Sequence, residues 1–224
     1  MTIATIKPTD RQLQESVLAE FAWEPSINAA HIGVAVEKGV VSLSGHVSTY
    51  GEKSAAERAA RRVRGVLGIA EAIEVHMPVE TERSDEAIAH AAIERLAWEA
   101  SIPTNALQIK VEQGWITLTG ELGWHYQRMA AERMLTGLRG VAGISNLVTI
   151  RKRPNGANIS HDISTALHRG WFDPSSIEVA VSANTVTLTG TVDTPADKWK
   201  AGLTAWAGAG VAQVDNNLVV LAQG

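Results

Sequence analysis

The sequence predicts an α/β (α+β) protein made of three tandem small α-β-β-α-β modules, each a short mixed sheet with two helices packed on one face. Two observations predict it. One pattern recurs three times in the 224 residues, as VEKGVVSLSGHV (36–47), VEQGWITLTGEL (111–122) and VSANTVTLTGTV (181–192), at intervals of 75 and then 70 residues. Each copy also lies between two stretches whose apolar residues fall at helical spacing. A period longer than that of the common solenoid repeats points to complete small folds in series, here 1–78, 79–153 and 154–224. A module of this size buries only about 60% of its unfolded surface, which leaves a place for packing between modules.

Helix signals open every copy. In the first, Asp10 is the candidate N-cap, with Leu13, Val17, Leu18 and Phe21 on one face. In the second, Ser84 or Asp85 caps and Ile88, Ala92, Ile93 and Leu96 repeat that face; in the third it holds Ile159, Ile163, Ala166 and Leu167. Each helix runs into an aromatic (Trp23, Trp98, and Trp171 or Phe172) and then a connector holding Pro25, Pro103 or Pro174. Next comes a β-hairpin with alternating Val34, Val36, Val41 and Leu43; Ile109, Val111, Ile116 and Leu118; and Val179, Val181, Val186 and Leu188. Gly39, Gly114 and Asn184 take the turn, and Gly and Asn adopt φ > 0 most readily, so one turn geometry is expected throughout.

A second helix is expected over 50–64, 124–138 and 195–207, followed by Gly65-Val66, Gly140-Val141 or Gly210-Val211. The last strand then holds Ile69, Ile73 and Val75; Ile144, Leu147 and Ile150; and Val214, Leu218 and Val220. A right-handed crossover through that helix returns the strand to the sheet. MPVETERS (77–84) and RKRPNGAN (151–158) read as short polar linkers.

Composition sets further bounds. Lys and Arg against Asp and Glu count eight to nine in residues 1–78, nine to nine in 79–153 and three to six in 154–224, within a net charge of −4. No module is basic overall, which weighs against nucleic acid as a partner. There is no Cys, hence no disulfide or thiolate metal site. No segment approaches the roughly 20 apolar residues of a transmembrane helix. No signal-peptide pattern opens MTIATIKPTDRQLQESV, so a cytoplasmic location is expected.

The pattern V-x-V-x-x-G-x-V-x-L-x-G, a second helix, then G-V-x-x-V-x-N-x-L-x-V closely resembles the BON domain, over about 10–76, 84–151 and 158–221. The second copy carries it best, with Gly114, Gly120, Gly140, Val141, Ile144, Asn146 and Leu147; the first has Glu71 at the Asn146 position, and the third keeps Asn216 but has Asn184 at the first Gly. The resemblance implies an α/β sandwich of α-β-β-α-β modules and a non-enzymatic bacterial protein that binds phospholipid or the cell envelope, often in stress protection.

Candidate chemistry is sparse. Gly45, Gly120 and Gly190 end the second hairpin strand and read as a bulge or strand exit with φ > 0 rather than a ligand surface. The seven histidines include no H-E-x-x-H pair, and His161 and His168 lack a third ligand nearby, so no metal and no cofactor is expected. Ser44 in LSGH lacks the first Gly of a nucleophile elbow, and Thr119 and Thr189 take its slot in the other copies, so no catalytic residue is expected.

The anion- or lipid-binding candidates are Lys53, Arg58, Arg61 and Arg62 in the first copy and Arg128 and Arg133 in the second, near Arg64 and Arg139. Each cation near an anionic membrane contributes about 1 kcal/mol. The competing reading is a solvated face, since Glu57 lies four residues before Arg61. The third copy has only Lys198 and Lys200 here, so an anionic surface engages copies one and two. Trp23 and Trp98 repeat at one position, which favours core or inter-module packing. Trp115, Trp124, Trp199 and Trp206 do not repeat; core burial is the expected fate of each, with exposure at a membrane or partner surface as the alternative.

Together these give a non-enzymatic binding protein that associates with anionic phospholipid or envelope surfaces in stress protection. The alternative is a cytoplasmic stress-associated scaffold or protein-interaction module with no lipid role. Partner identity and oligomeric state stay open at this stage.

Overall fold

A computed structural model describes residues 8–78, 83–151, 156–169 and 176–221. In the first module the chain runs α1 (Asp10–Trp23), a 3₁₀ turn (Ala29–His31), β1 (Ile32–Glu37), β2 (Val40–Val47), α2 (Tyr50–Arg62) and β3 (Gly68–Val75). The central strand is β2, antiparallel to β1 with Val36 opposite Val41, and parallel to β3 with Val41 opposite Ile69. Strand alternation sends Val41 and Leu43 into the core while Ser42 and Ser44 face solvent, so the helices cover one face of the sheet. Under them lie Leu13, Val17 and Phe21 from α1 and Ala55, Ala56, Ala59 and Ala60 from α2. The alanine stripe keeps α2 close to the sheet, and each buried Leu, Ile or Phe contributes about 1.5–3 kcal/mol.

The second module repeats the order as α3 (Asp85–Ala97), β4 (Leu107–Glu112), β5 (Trp115–Leu122), α4 (His125–Thr136), β6 (Gly143–Asn146) and β7 (Thr149–Ile150). The third has α5 (Gly156–His168), β8 (Ile177–Ser182), β9 (Thr185–Val192), α6 (Pro195–Trp206), β10 (Gln213–Asn216) and β11 (Val219–Val220). The fold class is therefore as predicted, three small mixed sheets of one plan. The last strand is continuous in the first module and interrupted in the other two. Its register survives the break, with Asn216 opposite Leu188 and Val219 opposite Thr191. The described residues fall into two compact units, those within Met1–Ile93, Lys110–Ile116 and Met134–Ser145, and those within Glu94–Ile109, Thr117–Arg133 and Asn146–Gly224.

Several local expectations are corrected. The cap of α1 is Thr9, whose hydroxyl accepts from Gln12 N while the Gln12 side chain returns to Thr9 N. Asp10 instead accepts from Lys38 N at 2.8 Å and Gly39 N at 3.0 Å. Of the two candidates at α3, Ser84 is borne out as the cap, accepting from Ala87 N, whereas Asp85 binds Gln113 N and Gly114 N, each at 2.8 Å. Leu18 and Ile93 are exposed rather than core-facing. So is Leu147, and Val148 takes the buried place, because Asn146 Oδ1 accepts from Val148 N and turns the chain there. Gly45, Gly120 and Gly190 do not end their strands, which run two residues further. Trp171, Phe172 and Pro174, and the linker residues 79–82 and 152–155, lie outside the described residues.

Candidate functional site

The hairpin turns show why the repeated pattern carries its glycines. Lys38 (φ 51) and Gly39 (φ 82), like Gln113 (φ 51) and Gly114 (φ 75), both take positive φ, the two-residue I′ geometry. The Asp10 and Asp85 carboxylates hold these turns by their amides. In the third module Gly156 stands at the place of Asp10 and Asp85, so no carboxylate is available. The expectation that Asn184 supplies the positive φ is corrected: Ala183 has it (φ 54). The Asn184 side chain instead donates to Gly210 O at 2.9 Å and to Ile150 O at 3.3 Å. At Gly45, Gly120 and Gly190, φ is 111, 132 and 118, and a Cβ would collide with the carbonyl oxygen of His31, Ala106 or Ser176. These glycines serve close approach of backbone to backbone.

The six basic candidates are not one open cationic face. Lys53, only 20% exposed, binds Glu71 at 2.8 Å and donates to Ile73 O. Arg61 pairs with Glu57 along α2. Arg62 crosses to α1, where Nε is 2.8 Å from Glu20 and Nη2 is 3.0 Å from Glu24. That bridge raises the Arg62 pKa through its bonds to Glu20 and Glu24, and the bonds from Ser26 and Arg62 lower that of Glu24. Arg128 donates to Asn146 O at 3.3 Å, and its Nε is buried. Arg58 and Arg133 are exposed; Arg58 donates to the Ser54 hydroxyl and has no carboxylate partner among the described residues.

The tryptophans reverse the expectation of burial. Trp23 and Trp98 are each 85% exposed, at equivalent ends of α1 and α3, with exposed Leu18 and Ile93 earlier on the same helices. Trp199 and Trp115 are exposed too, the latter lying against Gly143 and donating to the Ser145 hydroxyl at 2.9 Å. Trp124 and Trp206 are half-buried. Sequence reasoning also missed a stack of His31, His46 and His76, with ring centroids 4.8 and 5.1 Å apart. Stacked rings present their faces to one another, and among the described residues no group of three His, Asp or Glu is placed to hold a metal.

Adjacent modules meet through equivalent residues, each meeting lying inside one compact unit. In the first, Ser48, Thr49, Met77 and Pro78 face Leu138, Arg139, Gly140 and Val141 around a cavity of about 240 Å³. In the second, Gly210 N donates to Gly123 O at 3.2 Å, and His125 stacks on Trp206 with centroids 3.8 Å apart. Burial there, and secondarily the Arg128 charge, lowers the His125 pKa.

The profile of one family, the BON domain, matches residues 9–77, 84–152 and 155–222, one match per repeat. The chain belongs to the BON domain family. Its Gly45, Gly120 and Gly190 are then the same structural position of three BON modules. No curated protein matches the chain. Among solved structures it is similar to CdsD, a structural protein of the type III secretion system of Chlamydia trachomatis, at 18% identity and a TM-score of 0.27, covering 92% of this chain and 91% of that one. The C-terminal domain of the same protein gives 18% identity and a TM-score of 0.27 over 99% and 100% of the two chains.

Proposed function

We propose that this BON protein is a non-enzymatic binding protein that rests peripherally on an anionic phospholipid surface through its first two modules. The observation behind the reading is the matched exposure of Trp23 and Trp98. An indole is amphipathic and gains by sitting at a membrane interface, and each of the first two modules offers such an anchor of its own. Arg58 and Arg133 are exposed cations, although the Arg133 charge acts on Glu99, whereas Lys53, Arg61 and Arg62 are engaged by glutamates. Apolar insertion therefore carries more of the binding than charge does. Stress protection at an envelope surface is the role this reading extends to.

The test is co-sedimentation of the full chain with neutral and anionic vesicles at low and physiological salt, with tryptophan emission recorded. Binding to anionic vesicles with a blue shift, both lost in the Trp23→Ala/Trp98→Ala variant, is the expected result. Absence of binding to either vesicle overturns it. The ion pairing of the basic helix favours a second reading, a cytoplasmic stress-associated scaffold in which Trp23 and Trp98 dock a protein partner. An apolar protein interface would change little with salt, whereas headgroup binding weakens.

A further inference from the structure

The two meetings between modules use one pair of surfaces twice. With the repeats aligned, Ser48 and Gly123 are one position and Gly140 and Gly210 another. The first surface is the corner where the central strand enters the second helix. The second surface is the loop after the second helix, beside the hairpin turn. Gly140 lines a cavity with Ser48, and Gly210 donates to Gly123 O, so the same positions meet each time. Such an interface is heterologous: the surfaces differ, and every module carries both.

Among the described residues one surface of each kind is therefore unused, the loop surface of the first module and the corner surface of the third. The unused loop surface holds a cavity of about 350 Å³ lined by Pro8, Lys38, Gly39 and Gly65, at the positions where the third module has Asn184 and Gly210. Beside it stands Leu67, 67% exposed, where the second and third modules have Ala142 and Ala212. The corner surface of the third module carries exposed Asp193 at the Ser48 position. Exposed Arg64 stands at the Arg139 position, and Arg139 lines the same cavity as Ser48. Repeating the internal contact between chains brings Arg64 and Asp193 together; Lys38 on the same surface pairs with Glu37, and Asp10 lines the cavity with its carboxylate turned to the Lys38 and Gly39 amides.

We propose that the occupant of the first module's loop surface is the third module of a second copy of this chain, giving head-to-tail association that continues the internal packing. Continuity with an interface used twice and opposite charge at the unused ends select a second copy. Charge pairing of this kind fixes partner and register more than it sets affinity.

Sedimentation velocity of the full chain over a concentration series tests this. The expected result is a mass that rises above the 23.9 kDa monomer with concentration. Arg64→Glu and Asp193→Arg, both exposed and checked for folding by circular dichroism, each weaken association by about tenfold or more, as like charges then meet. Mixing the two variants restores it, since each contact in the mixture joins opposite charges. A 23.9 kDa species at every concentration overturns the proposal, as it would if residues 1–7 of the same chain occupied the surface. Association indifferent to both reversals, or not restored by mixing, overturns it as well.

Discussion

Lys53 Nζ lies 2.8 Å from Glu71 Oε2, at the two positions occupied by Arg128 and Asn146 in the second module and by Lys198 and Asn216 in the third. The asparagines donate to the carbonyl oxygens of Arg128 (3.0 Å) and Lys198 (2.7 Å), tying the last strand to the second helix. Each also accepts from the amide two residues on, as Glu71 accepts from Ile73 N at 2.6 Å. A carboxylate has no hydrogen to donate, so in the first module the lysine supplies it and the tie runs in reverse. Lys53→Met therefore leaves a partly buried carboxylate unpaired and lowers stability by about 1–3 kcal/mol. Glu71→Asn in that background restores most of the loss, because asparagine reaches the backbone carbonyl of residue 53 as Asn146 and Asn216 reach theirs. Urea unfolding of the two variants checks this, and a harmless Lys53→Met would refute it.

Asp85 receives two turn amides at 2.8 Å each, a charge-assisted pair of bonds. Asp85→Ala is expected to cost about 1.5–3 kcal/mol, while Asp85→Asn, which keeps one acceptor oxygen, costs less. The local signature is faster hydrogen exchange at the Gln113 and Gly114 amides, with Ala183 and Thr185 unchanged. Unaltered exchange at Gly114 would show that the I′ turn holds itself.

Gly45 and Gly190 combine positive φ with a backbone carbonyl where a Cβ would stand. Alanine there adds about 1–3 kcal/mol of backbone strain to a collision that only the strand can relieve by moving. Gly137 has nothing within 4 Å of its notional Cβ and no positive φ, so Gly137→Ala is the matched control. Thermal unfolding should place both strand variants well below the parent protein and the Gly137 variant within about 0.5 kcal/mol of it. Equal midpoints for all three would remove the close-approach explanation of the repeated glycine.

The element order was legible because the hairpins alternate in hydrophobicity and the helices carry apolar residues four apart, as in Leu13, Val17 and Phe21. The same spacing held the clue to Trp23, which follows Phe21 by two residues and so lies about 200° around the helix from the core. Repetition of Trp98 favours core or inter-module packing, yet helical geometry places it outside as well. Asp10 was read as a cap because capping chemistry is local, whereas its partners lie in a turn 28 and 29 residues on. The ion pairs of Arg62 with Glu20 and Glu24 join two helices, so α2 alone reads as an open basic face. Contacts between distant segments decided the roles of Asp10 and Arg62, and periodicity does not encode them.

His125 stacks on Trp206, its Nδ1 is buried without a hydrogen-bond partner among the described residues, and burial together with the Arg128 charge lowers its pKa below the ordinary imidazole value. The folded protein thus holds the ring neutral where the unfolded chain would protonate it. The contribution to stability is complete above the unfolded value of about 6.5 and is lost as pH falls through the lowered folded pKa, because the unfolded state then binds the extra proton. His125→Phe keeps a ring against Trp206 and cannot titrate. The unfolding midpoint of the parent protein should therefore fall relative to that variant as pH drops below about 7, with the gap constant above it. Scanning calorimetry of both proteins across that fall in pH measures it. A gap that does not move with pH would mean that water reaches the ring and that the stack with Trp206 does not exclude a charge.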